Sequence, residues 1–197
     1  MSSQSSLLMV GIDGPIGSGK TTLIDAICRR LRSHCEIAVI ANDAFTLEDA
    51  AFLIRGETLS AERIRGVQTR GASHVAMNLS AIDDLKRKIP CLEIILIESD
   101  GDNLSARFSS ALFNLTIYVV DVAAGDRIPR KGGAGIAKSD LLVINKIDLA
   151  PYVGVSLSVM EQEIRKVRGP LPYAFTNLKT GNGIDCVVEA IRACKSA

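Results

Sequence analysis

The 197-residue sequence contains no tryptophan, and aromatic residues make up only 4% of it. It also lacks any uninterrupted apolar run near the ~18 residues that a membrane-spanning helix requires. Charges of the two signs balance, with 23 Lys plus Arg against 22 Asp plus Glu. A general nucleic-acid binder usually has a clear basic excess. We therefore expect no nucleic-acid partner and no membrane association.

Cysteine pairs at metal-binding or redox spacing are missing too. The five cysteines are odd in number, and none forms a CxxC pair. This favours reduced thiols in a reducing compartment over a disulfide framework. The N-terminus has no basic segment of the kind that opens a secretory signal. A cytoplasmic location is therefore expected.

Hydrophobic residues make up 47% of the chain and alternate between short aliphatic runs and amphipathic stretches. The runs predict strands at 7–12, 36–40, 93–97, 115–122, 141–145 and 173–176. The amphipathic stretches predict helices at 20–33, 78–88, 156–168 and 184–195. Strands that are aliphatic on both faces are typical of parallel sheets covered by helices. The sequence thus predicts a single α/β domain over 1–197, with a doubly wound, mostly parallel sheet and a disordered segment at 1–6.

A complete GxxxxGK[ST] motif follows the first predicted strand and opens the first helix. Its glycines allow consecutive backbone N–H groups to converge on phosphate oxygens, and the helix N-terminus adds its positive dipole. Lys20 is expected to reach the β- and γ-phosphates, and Thr21 to offer its hydroxyl to Mg²⁺. An ordinary glycine-rich turn is the alternative. The predicted phosphate-binding residues are Gly14, Gly17, Ser18, Gly19, Lys20, Thr21 and Thr22.

A second motif, NKxD, stands at the end of the predicted strand at 141–145 and comprises Asn145, Lys146 and Asp148. A carboxylate there can accept hydrogen bonds from both N1–H and the exocyclic amine of guanine. Adenine lacks this paired donor edge, so the motif predicts GTP as the nucleotide. A solvated turn is the alternative.

Acidic residues end two further strands. Glu98 closes the strand at 93–97, with Gly101 three residues later, which is the arrangement of a Walker B strand. Glu98 is expected near the Mg²⁺ shell, and the Gly101 amide is expected to sense the γ-phosphate. Asp43 follows the second strand at the edge where open α/β sheets bind ligands, so it is expected to contribute to the Mg²⁺ shell or to position the attacking water. A turn role for Asp43 is the alternative.

With these motifs placed, the chain resembles the urease accessory GTPases of the UreG family over nearly its whole length. Beyond the two generic nucleotide motifs, the resemblance rests on family-specific blocks at 98–106 and 128–151. It implies a P-loop NTPase fold that uses GTP and Mg²⁺. It also implies a GTP-dependent homodimer that works with other accessory proteins to transfer Ni²⁺ to an apo-metalloenzyme.

The sequence departs from the family pattern at the nickel motif, where Cys-Pro-His is replaced by Ala72, Ser73 and His74. The imidazole remains, but the thiolate that suits square-planar Ni²⁺ is absent. His74 is therefore either a nickel ligand or a polar surface residue. In addition, Gln68 stands where the family has a glutamate near the magnesium site, and Asp100 stands where it has a glycine.

The sequence therefore predicts a GTPase that assists nickel insertion into urease or a paralogous metalloenzyme. Its expected catalytic residues are Lys20, Thr21, Asp43 and Glu98. Two alternatives stay open. One is a GTP-dependent interaction switch without metal handling, and the other is a small-molecule P-loop kinase, which would have no use for the NKxD motif.

Overall fold

A seven-stranded sheet forms the centre of the computed structural model, which describes residues 7–43, 47–68, 74–99, 101 and 112–196. The strand order is β3-β2-β4-β1-β5-β6-β7, and every pair of neighbours is parallel. The predicted doubly wound α/β fold is thereby confirmed. The strands are β1 (Leu8–Asp13), β2 (Ile37–Asp43), β3 (Ile64–Gln68), β4 (Ile94–Glu98), β5 (Leu115–Asp121), β6 (Leu141–Asn145) and β7 (Tyr173–Phe175).

Helices cover both faces of the sheet. They are α1 (Lys20–Leu31), α2 (Glu48–Arg55), α3 (His74–Lys88), α4 (Ile128–Lys131), α5 (Gly133–Lys138), α6 (Leu157–Arg168) and α7 (Ile184–Ser196). Short 3-10 turns occur at Ala61–Arg63, Val122–Ala124 and Ile147–Leu149. Of the helices in the described ranges, none has the length and apolar character needed to cross a membrane.

The buried residues of each strand alternate between the two faces, as the period of two along a strand requires. In β4, Ile94 and Leu96 join a core cluster with α1, α2 and α7, whereas Ile95 and Ile97 join a separate cluster with α3. A third cluster packs α5 and α6 against β5 and β6. This two-sided burial explains why these strands read as continuous aliphatic runs.

Strand β3 has no counterpart among the strands predicted from the sequence. Its sequence, Ile-Arg-Gly-Val-Gln, buries just Ile64 and Val67. An edge strand needs less apolar surface than a central one, so its aliphatic signal is weak. Helix α2 and the short helices α4 and α5 also lie in regions to which no helix boundaries were assigned.

Helix α3 begins at His74, four residues before the predicted start, and its buried face differs from the prediction. The helical spacing of Leu79, Ile82 and Leu85 in the sequence predicts that all three lie on the core face. In the structure Leu79 is 43% exposed, whereas Asn78 is fully buried. The helix is rotated so that an amide, rather than the neighbouring leucine, faces the sheet.

The chain order places a crevice at the carboxyl ends of the central strands. From β1 the chain first adds β2 and β3 on one side and later adds β5, β6 and β7 on the other. Such a reversal opens a crevice outside the carboxyl ends of the strands, where α/β proteins bind their ligands. The predicted motif residues follow β1, β2, β4 and β6, so they meet at this edge.

Candidate nucleotide-binding site

The loop between β1 and α1 depends on glycine for its shape. Gly14, Gly17 and Gly19 have φ angles of 142°, 79° and 103°, in the region that side chains rarely adopt. A Cβ at Gly14 would lie 2.1 Å from the carbonyl oxygen of Val119, and one at Gly19 would lie 2.3 Å from Nδ2 of Asn145. The glycines therefore allow the loop to approach β5 and the end of β6 closely.

Helix α1 starts from this loop without a capping side chain. Its N-cap is Gly19, and its first turn contains no acidic residue. Helix α6, in contrast, is capped by the hydroxyl of Ser156, which accepts from the Val159 amide. Uncapped N–H groups at a helix N-terminus favour an anion. The start of α1 is thus suited to bind phosphate.

Lys20 adds a positive charge inside the same loop. Its side chain is buried, and Nζ donates to the carbonyl oxygens of Gly14 at 2.9 Å and Pro15 at 3.3 Å. The neighbouring Ser18 is also buried, and its carbonyl accepts from the side chain of Asn145. The loop therefore holds an ammonium group beside the uncapped helix start.

The hydroxyl of Thr21 lies between two carboxylates. Its Oγ1 is 2.8 Å from Oε1 of Glu98 at the end of β4 and 2.9 Å from Oδ1 of Asp49 in α2. Oxygen ligands of this kind are those that Mg²⁺ prefers, and it usually takes one or two carboxylates with phosphate and water oxygens. The donor set thus fits a magnesium ion that shares a phosphate ligand.

Sequence reasoning assigned no role to Asp49. Nothing in the sequence shows that α2 turns its first residues towards Thr21. Asp43 ends β2 at the same sheet edge, beside Gln68 of β3. The side chain of Asp43 lies outside the described part, so its predicted role stays a prediction.

The first two residues of the NKxD motif contact the loop between β1 and α1, called the phosphate loop from here on. Nδ2 of Asn145 donates to the Ser18 carbonyl at 3.0 Å, and its Oδ1 accepts from the Leu178 amide at 3.2 Å. Lys146 has a left-handed backbone with φ 61°. Its Nζ donates to the Gly17 carbonyl at 2.7 Å and pairs with Asp121 at 2.5 Å. The sequence did not indicate this structural use of the motif.

Asp148 lines the same cleft and lies on the turn that follows Lys146. Leu149 of the same turn and the loop at 177–179 also line the cleft, whose volume is about 750 Å³. Asp148 itself is exposed. One cleft therefore joins the phosphate loop to the NKxD carboxylate. Its lining includes Lys20, Thr21, Thr22, Asp49, Glu98, Lys146 and Asp148.

Several predicted residues fall at or beyond the border of the described part. Gly101 is described: it has φ 116°, and a Cβ there would lie 3.3 Å from Ile16 at the tip of the phosphate loop. Asp100, Ala72 and Ser73 lie outside the described residues, as does the side chain of His74. Among all the residues that the structure describes, no group of three or more His, Cys, Asp or Glu side chains could hold a metal ion.

This fold and cleft define a P-loop nucleotide-binding protein. The chain belongs to the CobW/HypB/UreG family, whose nucleotide-binding domain model matches residues 8–175. That model covers the three named branches together and does not distinguish UreG from HypB. The resemblance to UreG is therefore confirmed only as membership of the wider family.

Solved structures with the same fold include two HypB proteins, and the first of them is described as a hydrogenase maturation factor. HypB from Archaeoglobus fulgidus is 25% identical over 98% of this chain and 92% of its own, with a TM-score of 0.80. HypB from Helicobacter pylori, solved in complex with nickel, is 20% identical over 98% and 89%, with a TM-score of 0.82. A LAO/AO transport system kinase is 25% identical over 96% of this chain and 59% of its own, with a TM-score of 0.63.

Proposed function

We propose that this protein binds and hydrolyses GTP and uses that cycle to assist the maturation of a nickel enzyme. The observation that carries the nucleotide part is the continuity of the cleft. The phosphate loop, the carboxylates beside Thr21 and the NKxD carboxylate at Asp148 line a single cavity. Membership of a nucleotide-binding family supports the same reading.

Selection of guanine is assigned to Asp148. Asn145 and Lys146 are held by contacts to the phosphate loop, and Asp148 on the next turn is an exposed residue of the cleft lining. A carboxylate accepts two hydrogen bonds from the N1–H and amino group of guanine. Adenine offers no matching pair of donors, so ATP would leave the acceptor unused and bind less tightly.

Hydrolysis is assigned to water attack on the γ-phosphate, with catalysis by positioning and charge neutralisation. Lys20 would exchange its contacts with the loop carbonyls for phosphate oxygens. Thr21, Glu98 and Asp49 would hold a magnesium ion, which when bound neutralises charge on the phosphates. Asp43 is the proposed residue for the magnesium shell or the attacking water. Thr22, Gly101 and the loop glycines complete the phosphate contacts.

The nickel part rests on the family and on the sequence resemblance. One relative of the same fold is a hydrogenase maturation factor, and another was solved with nickel. We propose a GTP-dependent homodimer that brings two copies of His74 together as ligands for the transported Ni²⁺. Other accessory proteins and an apo-enzyme of the urease type would be its partners in the cytoplasm.

Calorimetric titration with GTP and ATP tests the nucleotide assignment. The wild type is expected to prefer GTP. Asp148→Asn is expected to lose that preference, because one of the two acceptor oxygens of the carboxylate becomes an NH₂ donor. The loss should amount to ~1.5–3 kcal/mol, the usual contribution of a charged hydrogen bond. Glu189→Gln, which removes an exposed carboxylate on α7, is the charge-matched control. Equal wild-type affinities for GTP and ATP would refute the assignment.

Titration of Ni²⁺ and Zn²⁺ into the GTP-loaded protein, followed by mass measurement in solution, tests the nickel part. A metal-dependent dimer that His74→Ala abolishes is the expected result. Ala72→Cys should tighten Ni²⁺ binding, because it restores a thiolate. If the GTP-loaded protein binds neither ion, that result favours the GTP-dependent switch without metal handling.

The small-molecule kinase alternative differs from the GTPase in the acceptor of the γ-phosphate. A small-molecule kinase of this fold would transfer the γ-phosphate to an acceptor other than water. Release of free phosphate at the same rate with and without candidate small-molecule acceptors is the result expected of a GTPase. Acceptor-dependent consumption of nucleotide would instead support the kinase.

A further inference from the structure

Two buried asparagines form a reciprocal amide pair beside the nucleotide site. Nδ2 of Asn42, in β2, donates to Oδ1 of Asn78, in α3, at 3.1 Å, and Nδ2 of Asn78 donates back to Oδ1 of Asn42 at 3.0 Å. Asn42 is 2% exposed and Asn78 is 0% exposed. A buried amide is costly unless it is hydrogen-bonded, so this pair specifies how α3 lies against β2.

The rest of the buried face of α3 is apolar. Ala81, Ile82 and Leu85 continue the stripe that Asn78 begins, and they pack in one cluster with residues of β2 and β4. An aliphatic residue at position 78 would continue that packing. The amide is therefore not needed for adhesion of the helix. What the amide adds to this packing is a reciprocal hydrogen-bonded link to Asn42.

The link continues from Asn42 into the site. Backbone pairing between β2 and β4 ends at Ala41 and Glu98. One residue further on, Nδ2 of Asn42 donates to the carbonyl oxygen of Glu98 at 2.9 Å. The carboxylate of the same Glu98 accepts from Thr21 at 2.8 Å. A continuous chain of hydrogen bonds therefore joins α3 to the magnesium end of the cleft.

We propose that Asn78 is a positioning residue for the magnesium end of the nucleotide site. It orients Asn42, which fixes the main chain at Glu98 and so the carboxylate that contacts Thr21. This inference rests on the proposed binding of GTP with Mg²⁺. Because coupling between sites is reciprocal, bound GTP with Mg²⁺ should in turn hold α3 against β2. The helix begins at His74, one turn before Asn78.

Affinity for GTP, measured by calorimetry with Mg²⁺ and with excess EDTA, tests the proposal. Asn78→Leu keeps the branching of the side chain and removes both amide groups. The ratio of GTP affinity with Mg²⁺ to GTP affinity in EDTA is expected to fall roughly fivefold or more, which is the lower end of typical coupling between sites. Affinity in EDTA should stay near the wild-type value.

Ile82→Ala is the matched control, since it loosens the same face of α3 without touching the amide pair. It should leave the ratio of the two affinities unchanged. Asn42→Ala should reproduce the effect of Asn78→Leu. If Asn78→Leu does not fold, Asn78→Ser is used in its place in the same comparison. Its smaller polar side chain cannot form the reciprocal amide pair.

Hydrogen exchange along α3 gives a second readout. GTP with Mg²⁺ should slow exchange of α3 amides in the wild type and in Ile82→Ala, but less in Asn78→Leu. A variant that keeps both the wild-type magnesium ratio and the wild-type protection would overturn the positioning role. A wild type that binds no GTP at all would instead refute the proposed function, so the two failures are distinguishable.

Discussion

The hydroxyl of Thr21 lies 2.9 Å from a carboxylate oxygen of Asp49, which stands 28 positions later in the chain. The contact joins the first turn of α1 to the first turn of α2. It places a second carboxylate, besides that of Glu98, within hydrogen-bonding distance of the threonine expected to ligate magnesium. Three predictions concern this site and its supports, and a fourth concerns the ion pair of Glu93 and Lys195.

Removal of the Thr21 hydroxyl should weaken nucleotide binding mainly in the presence of Mg²⁺. We expect Thr21→Ala to lose about tenfold in affinity for GTP with Mg²⁺, which corresponds to ~1.4 kcal/mol. The loss should be smaller in EDTA, because the hydroxyl acts on the cation rather than on the phosphates. Thr21→Ser retains the hydroxyl and should behave as the wild type in the same titrations. An unchanged magnesium dependence in Thr21→Ala would place the ion elsewhere.

Neutralisation of Asp49 should raise the Mg²⁺ concentration needed for half-maximal GTP binding. Asp49→Asn keeps the size of the side chain and removes its charge, and carboxylates are the protein ligands that magnesium favours. We expect a shift of several-fold, measured by titrating Mg²⁺ at fixed GTP. Glu189→Gln removes one charge on α7 and controls for the change in net charge. If both variants give the same midpoint, Asp49 has only a structural role.

Substitution of Gly19 should destabilise the protein more than substitution of Gly17. Both glycines have positive φ angles, so alanine costs ~1–2 kcal/mol at either position from backbone strain alone. At Gly17 a Cβ meets nothing within 4 Å, whereas at Gly19 it would meet the side chain of Asn145. Gly19→Ala therefore also disturbs the contact between Asn145 and Ser18. Urea unfolding of the two variants measures the difference, and equal losses would contradict it.

Acid should remove a stabilising contribution from the pair of Glu93 and Lys195. The Lys195 ammonium, together with the Glu36 amide, lowers the pKa of the Glu93 carboxyl below its usual value of 4.5. A carboxyl with a lowered pKa stabilises the fold above its unfolded pKa, and that contribution disappears as the pH falls through the folded pKa. Lys195→Met should therefore flatten the fall in unfolding free energy below about pH 5.

Arg192→Met is the control for the last prediction, since Arg192 is an exposed cation on the same helix. Urea unfolding at a series of acidic pH values should show the wild-type slope for this variant. If Lys195→Met keeps the same slope, the contact with Lys195 does not control the protonation of Glu93.

The strands and the phosphate loop could be predicted from the sequence because their signals are local. Aliphatic runs mark the central strands, which are buried on both faces, and the spacing of Gly14, Gly19 and Lys20 has a direct backbone reason. Strand β3 was not predicted, because an edge strand needs few apolar residues and so lacks the aliphatic run that marks the central strands. In α3, the choice between Leu79 and Asn78 as the buried residue depended on the amide partner Asn42, 36 positions earlier.

By itself, the sequence determined the class of fold and predicted the phosphate loop and the carboxylates of Glu98 and Asp148, because each depends on residues near one another in the chain. The tertiary structure alone decided that Asp49 contacts Thr21, that Lys146 braces the phosphate loop, and that Asn78 joins α3 to the site. These contacts connect elements far apart in sequence. Their partners are chosen by the strand order and by the packing of helices on the sheet, which no local pattern records.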